Sequence, residues 1–240
     1  MDRRLFLAAT VEFFAGCSSG EKFLPENAQE DLYRLTWQGL TVGRARLQSS
    51  RESDRSVFLF DFDTSGALGL LHSTHAHIEA SASLNLDRSL SYRENGGKHL
   101  KSLEFDWAQK RIRRYRDAEL RQTLPQAPFC LDPLSLIYAL RRSPLTPGQE
   151  LSFLLTDGKK IARVTAQVER KELAGRDCFL IRPDMADLEG LLRLGEDEAS
   201  LSLWIESSPA RRLLRIDAGT PWGEIRAVLE NVPPSVGSGP

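Results

Sequence analysis

Residues 31–50 read Asp31-Leu32-Tyr33-Arg34-Leu35-Thr36-Trp37-Gln38-Gly39-Leu40-Thr41-Val42-Gly43-Arg44-Ala45-Arg46-Leu47-Gln48-Ser49-Ser50. Tyr33, Leu35 and Trp37 alternate with Arg34 and Thr36, the period of two that puts apolar side chains on one face of a strand. Gly39 to Gly43 then turns the chain into Arg44–Ser50, which makes a first hairpin. The same period continues downstream. Phe58, Phe60 and Phe62 share one face, while Val57, Leu59, Asp61 and Asp63 share the other, so both sides of that strand are expected to be partly covered. Strand-like runs follow at 74–85, 88–94 and 99–107, with Asn95-Gly96-Gly97 as a turn between the last two, and then at 110–115. Further runs lie at 150–156, 164–168, 178–182, 201–206, 212–218 and 224–230.

One segment has a different period. Asp132 is a good N-cap and Pro133 suits the first helical position, and Leu134, Ile137, Tyr138 and Arg141 then line one helical face until Pro144 stops it. Leu188–Leu194 reads as a short helix or an irregular loop. No βαβ alternation appears, which excludes a Rossmann-type sheet. The expected fold is mainly β, a single antiparallel domain over 31–232 in the form of a curved sheet, a sandwich or an incomplete barrel. The one short helix should pack over an end or plug the mouth.

The 240 residues are 41% hydrophobic and 27% charged with a formal net charge of −1, which excludes a disordered, collagenous or polytopic chain. That balance also supplies no global field to gather nucleic acid. At the N-terminus, Asp2-Arg3-Arg4 precedes an apolar stretch from Leu5 to Gly16 that is far shorter than the roughly 20 residues of a spanning helix. Residues 1–16 therefore read as an export signal. Phe14-Ala15-Gly16-Cys17 resembles the lipobox of bacterial lipoproteins, which implies cleavage before Cys17 and lipidation of its thiol. Ser18 beside that cysteine resembles the default outer-membrane sorting signal, and Asp2-Arg3-Arg4-Leu5-Phe6-Leu7 resembles the twin-arginine consensus. Residues 17–30 form the lipidated cysteine and its tether, and 233–240 a loose Pro/Gly tail. The expected location is the envelope, on the periplasmic side of an outer membrane. Cys130 and Cys178 are then an even pair in an oxidising compartment, open to a disulfide or to two separately buried thiols. The apolar run Cys178-Phe179-Leu180-Ile181 favours the thiols.

Several of these stretches occur together and in order: Trp37–Ala45, Asp132–Arg141, Asp157-Gly158-Lys159, Gly175–Cys178, Trp204–Leu214 and Trp222–Ile225. In order and approximate spacing they resemble the exported bacterial family called domain of unknown function 3108, over roughly residues 30–232. The resemblance implies an envelope protein of antiparallel β architecture with no assigned reaction or catalytic residues. The lipid anchor would be a departure from the plain signal peptides of many relatives.

Two constellations carry candidate chemistry. In a strand, His75, His77 and Glu79 project from one face about 6.8 Å apart, a set that suits a transition metal if another element adds a ligand; a solvated, imidazole-rich face is the plainer reading. Lys110-Arg111-Ile112-Arg113-Arg114-Tyr115-Arg116 offers donors to lipid phosphate or an acidic glycan, against the plainer reading of a charged edge strand that resists pairing. No Gly-x-Ser-x-Gly elbow, phosphate loop or His-Glu-x-x-His helix is present. The expectation is thus a non-enzymatic binding module without a cofactor. Phe58, Phe60, Phe62, Arg113 and Arg114 would meet a lipid, glycan or protein partner. A metal-dependent protein using His75, His77 and Glu79 is the alternative.

Overall fold

A computed structural model of the protein describes residues 29–65, 75–96, 99–188, 199–221 and 223–230. The period-two runs form strands β1 (Gln29–Trp37), β2 (Leu40–Arg51), β3 (Arg55–Thr64), β4 (His75–Ser83), β5 (Ser89–Asn95), β6 (Leu100–Asp106) and β7 (Arg111–Arg116). After β8 (Glu119–Pro125), β9 (Cys130–Leu131) and helix α1 (Pro133–Arg142) come β10 (Glu150–Thr156), β11 (Ile161–Leu173) and β12 (Arg176–Pro183). The one-turn α2 (Met185–Leu188) precedes β13 (Ser200–Glu206), β14 (Leu213–Thr220) and β15 (Gly223–Leu229).

The fifteen strands of the described residues belong to one sheet, in the spatial order 8-7-6-5-4-3-2-1-15-14-13-12-11-10-9. It is a meander whose first and last strands pair in the middle, with Tyr33 opposite Leu229 and Trp37 opposite Ile225. The two edges, β8 and β9, are consecutive in the chain and joined by residues 126–129. A flat sheet of this width would hold its edges roughly 65–70 Å apart, whereas the five Cα steps from Pro125 to Cys130 reach at most about 18 Å. The sheet therefore curls into an incomplete barrel. Across the seam Gln122 Nε2 donates to the Lys159 carbonyl at 2.9 Å. This decides among the three expected architectures and excludes a two-sheet sandwich.

The inner face is set by cross-strand pairing of large with small side chains. Phe58, Phe60 and Phe62 of β3 stand opposite Ala80, Ile78 and Ala76 of β4. The alanines leave depth for rings, and Phe58 uses it to stack on Tyr138 of α1 with centroids 4.0 Å apart. Helix α1 lies inside the curl. Its cap is as expected: Asp132 accepts from the backbone N–H groups of Leu134 (2.9 Å) and Ser135 (3.0 Å). The same carboxylate accepts from the Ser89 and Ser135 hydroxyls, each at 2.6 Å, which ties the helix start to β5. At the far end of the helix, Arg141 Nη1 reaches Asp31 Oδ2 at 3.2 Å, and Arg212 Nη2 reaches Asp31 Oδ1 at 2.7 Å. Asp31 is 1% exposed, so this triad is a buried clamp between α1, β1 and the start of β14.

Two sequence expectations need correction. The basic run of β7 is not an edge strand: it pairs with β6 on one side and with β8 on the other. The strand at 119–125 escaped notice because its exposed residues outnumber its half-buried ones. Of the two readings of the cysteines, the favoured one holds: Cys130 and Cys178 are both free and buried. They sit on strands three places apart, about 14 Å by strand spacing, twice the reach of a disulfide. A one-turn helix, Met185–Leu188, follows β12, while the short helix or irregular loop expected over Leu188–Leu194 lies, beyond Leu188, outside the described residues, as do the signal, Cys17 and the tail.

Candidate functional site

The curl forms a partly open cavity of about 170 Å³. Leu35, Leu47, Phe60 and Ile78 line it from one half of the sheet, Val164, Ile181 and Leu203 from the other, and Leu136, Ile137 and Leu140 of α1 close it from below. An apolar hole of this order, about 150 Å³, stays dry and accepts benzene in another protein. The cavity exists because α1 fills only part of the curl. Its buried residues include Leu134, Tyr138 and Leu140, while Leu136 and Ile137 stay half-buried on the face toward the cavity.

One end is polar. Tyr92, Glu94, Lys101 and Asp157 line the cavity where β5 hands over to β6 and β10 to β11. Glu94 and Lys101 are cross-strand partners, and Lys101 Nζ lies 3.1 Å from Glu94 Oε2. The Tyr92 hydroxyl donates to the same oxygen at 2.9 Å, and the ammonium sits 5.3 Å from the Tyr92 ring centroid. Burial pushes the Tyr92 phenol well above its ordinary value, and the carboxylates of Glu94, Asp132 and Asp157 push the same way. Tyr92 therefore stays a donor at neutral pH. Asp157 Oδ1 accepts from the backbone N–H groups of Lys159 (2.8 Å) and Lys160 (3.3 Å), which shapes the β10–β11 turn. In that turn Gly158 packs against Leu103 and Arg114; a Cβ there would stand 2.2 Å from Leu103 Cδ2.

Of the candidates read from sequence, Phe60 lines the cavity, Phe58 holds the helix through its stack, and Phe62 is buried against Gly43. Arg113 faces outward and pairs with Asp106 at 2.9 Å and Glu104 at 3.6 Å. Arg114 shares the inward face with Ile112 but lies under Gly158 at the seam, away from the cavity lining. His75, His77 and Glu79 do share the outer face of β4, with Ala76, Ile78 and Ala80 buried behind them. The structure does not bring the three together. His75 meets Asp63, and His77 Nδ1 meets Asp61 at 2.6 Å, each carboxylate standing directly opposite on β3. Among the described residues no group of three or more His, Cys, Asp or Glu side chains has metal-holding geometry.

Sequence reading missed Tyr92, Glu94, Lys101, Asp157 and Leu136. A signal was available for the first three. The β5–β6 pairing sets Glu94 opposite Lys101, and alternation with buried Tyr92 turns both inward. A second groove, of about 450 Å³, lies between α1 and β10 beside Phe129 and is of mixed character, with Asp87, Ser152 and Arg163 on its walls.

No curated protein matches the sequence. Among solved structures, the chain is similar to the crystal structure of a β-barrel-like protein of domain of unknown function DUF1849 from Brucella abortus. The TM-score is 0.56 and the identity 11%, over 84% of this chain and 94% of that one. At that identity the likeness speaks for the fold alone, and it agrees with a sheet curled to a barrel. Residues 32–230 match the model of the protein family of unknown function DUF3108, and the chain belongs to that family.

Proposed function

We propose that the domain is a non-enzymatic binding module that takes a hydrocarbon segment of a lipid into the barrel interior. The observation that carries this reading is the cavity, walled by apolar side chains from both halves of the sheet and from α1, with polar groups gathered at one end. Specific small-molecule sites share that character: mostly apolar walls with a few placed polar groups. The lipobox-like Phe14-Ala15-Gly16-Cys17 supports a second part of the reading, in which the module is held at the envelope surface by an acylated Cys17.

Lipid extraction and mass spectrometry of the protein isolated from its host test the first part. A stoichiometric lipid is expected, and it should be lost in Ala166→Leu, which adds side chain at a cavity-lining position that is 2% exposed. A lipid-free native protein, or a content unaffected by Ala166→Leu in a folded variant, refutes the binding reading. Labelling with radioactive palmitate tests the anchor separately: label is expected on the native chain and not on Cys17→Ala, and an unlabelled native chain refutes it.

A further inference from the structure

We propose that the cavity selects a single-chain amphiphile with an uncharged, hydroxyl-bearing head group, such as a monoacylglycerol, and disfavours one with a carboxylate head. The inference rests on the binding reading above and deepens it.

Among the described residues, the charged side chains lining the cavity are Glu94, Lys101 and Asp157, two carboxylates against one ammonium. All three are shielded from solvent, with side-chain exposures of 15%, 24% and 9%. Lys101 already neutralises Glu94. The cation paired with Asp157, Lys159, stands 3.8 Å away and is 42% exposed, so it balances the carboxylate from the solvent side. An entering carboxylate would therefore meet an excess of negative charge where screening is weak.

A hydroxyl head meets no such opposition, because it both donates and accepts. Lys101 carries three N–H donors and spends one on Glu94, so it has donors for an entering oxygen. Glu94 receives both Tyr92 and Lys101 on Oε2, and among the described residues no hydrogen bond occupies its Oε1. The Tyr92 hydroxyl is committed to Glu94 and fixes that carboxylate in place. A volume of about 170 Å³ sets the scale of the buried part at a short hydrocarbon chain.

The test is calorimetric titration of the full chain carrying Cys17→Ser with 1-monooctanoylglycerol and with octanoate at pH 7.5, both below their micellar concentrations. Binding of the monoacylglycerol about tenfold or more tighter is expected. Glu94→Gln, which keeps an acceptor for Tyr92 and leaves Lys101 unneutralised, should reduce the ratio to about threefold or less. Lys101→Met should widen it. Octanoate binding as tightly as the monoacylglycerol, or a ratio that neither variant moves, overturns the preference while leaving the cavity reading intact. Absence of binding by both probes overturns the cavity reading and the preference with it.

Discussion

Replacing Asp31 by Asn is the sharpest test of how the helix is held in the barrel. The carboxylate is 1% exposed and faces two guanidiniums that are themselves shielded, Arg141 at 6% and Arg212 at 14% side-chain exposure. Asn keeps the shape and one acceptor but removes the charge, which leaves one buried and one partly buried cation facing a neutral amide. Breaking a buried ion pair from one side costs about 3–5 kcal/mol, because the remaining charge stays desolvated. In a chain of this size each kcal/mol lowers the melting temperature by about 2–4 °C, so a drop of roughly 6–20 °C is expected. Glu52→Gln is the matched control. Its partner Arg55 lies 2.7 Å away with exposures of 47% and 43%, and such surface pairs are worth about 0–1 kcal/mol. Thermal and urea unfolding followed by circular dichroism read both. A loss in Asp31→Asn no larger than in Glu52→Gln would falsify the buried clamp. Arg141 also donates through Nε to the Arg211 carbonyl at 3.0 Å, so the clamp sets the position of the whole C-terminal turn of α1. Since α1 closes the cavity with Leu136, Ile137 and Leu140, the Asp31 variant should also bind monooctanoylglycerol more weakly.

Three more outcomes follow from particular atoms. Gly158→Ala should destabilise by about 2–4 kcal/mol in urea unfolding, because φ is +84° and the new Cβ would press on Leu103; Gly148→Ala, at φ +79° with open space, should lose only about 1–2 kcal/mol. Burial pushes the Cys130 thiol up to about 12 and that of Cys178 up to about 11, so neither should react with a disulfide reagent at pH 8 in the native protein, and both should react in denaturant. Rapid native labelling of either would refute this. Burial pushes the Asp217 carboxyl up, but hydrogen bonds from Arg215, Arg226 and Trp204 outweigh it, and the pKa lies below the ordinary carboxylate value. Its contribution to stability is thus fully present above the unfolded value of about 3.9 and lost as pH falls through the lower folded value. Asp217→Asn should flatten that acid limb in unfolding experiments, and an unchanged limb counts against the assignment.

Much of the local structure was legible because its causes are local. Tyr33, Leu35 and Trp37 announce a strand by alternation alone. Asp132-Pro133 announces a helix start because the carboxylate two residues away is the partner that the free N–H groups need. Where exposure and alternation compete, as in Glu119–Pro125, the signal fades and β8 was missed. At the site, Phe60 was found because apolar alternation flags it. Glu94 and Lys101 were overlooked because charged residues in a strand read as solvated until the sheet is known to curl around them.

What the sequence by itself determined is the class of the protein: an antiparallel β domain with one capped helix, and the family pattern carried by its turns. The tertiary structure alone decided that β1 and β15 pair, that β8 faces the β10–β11 turn across a seam, and that Asp31 clamps Arg141 and Arg212 from far along the chain. A period of two tells which side of a strand faces the core but not which strand lies beside it, since any neighbour with the same alternation satisfies the pattern equally well. The cavity depends on that neighbour list and on how deeply α1 sits, and both emerge only when the sheet closes on itself.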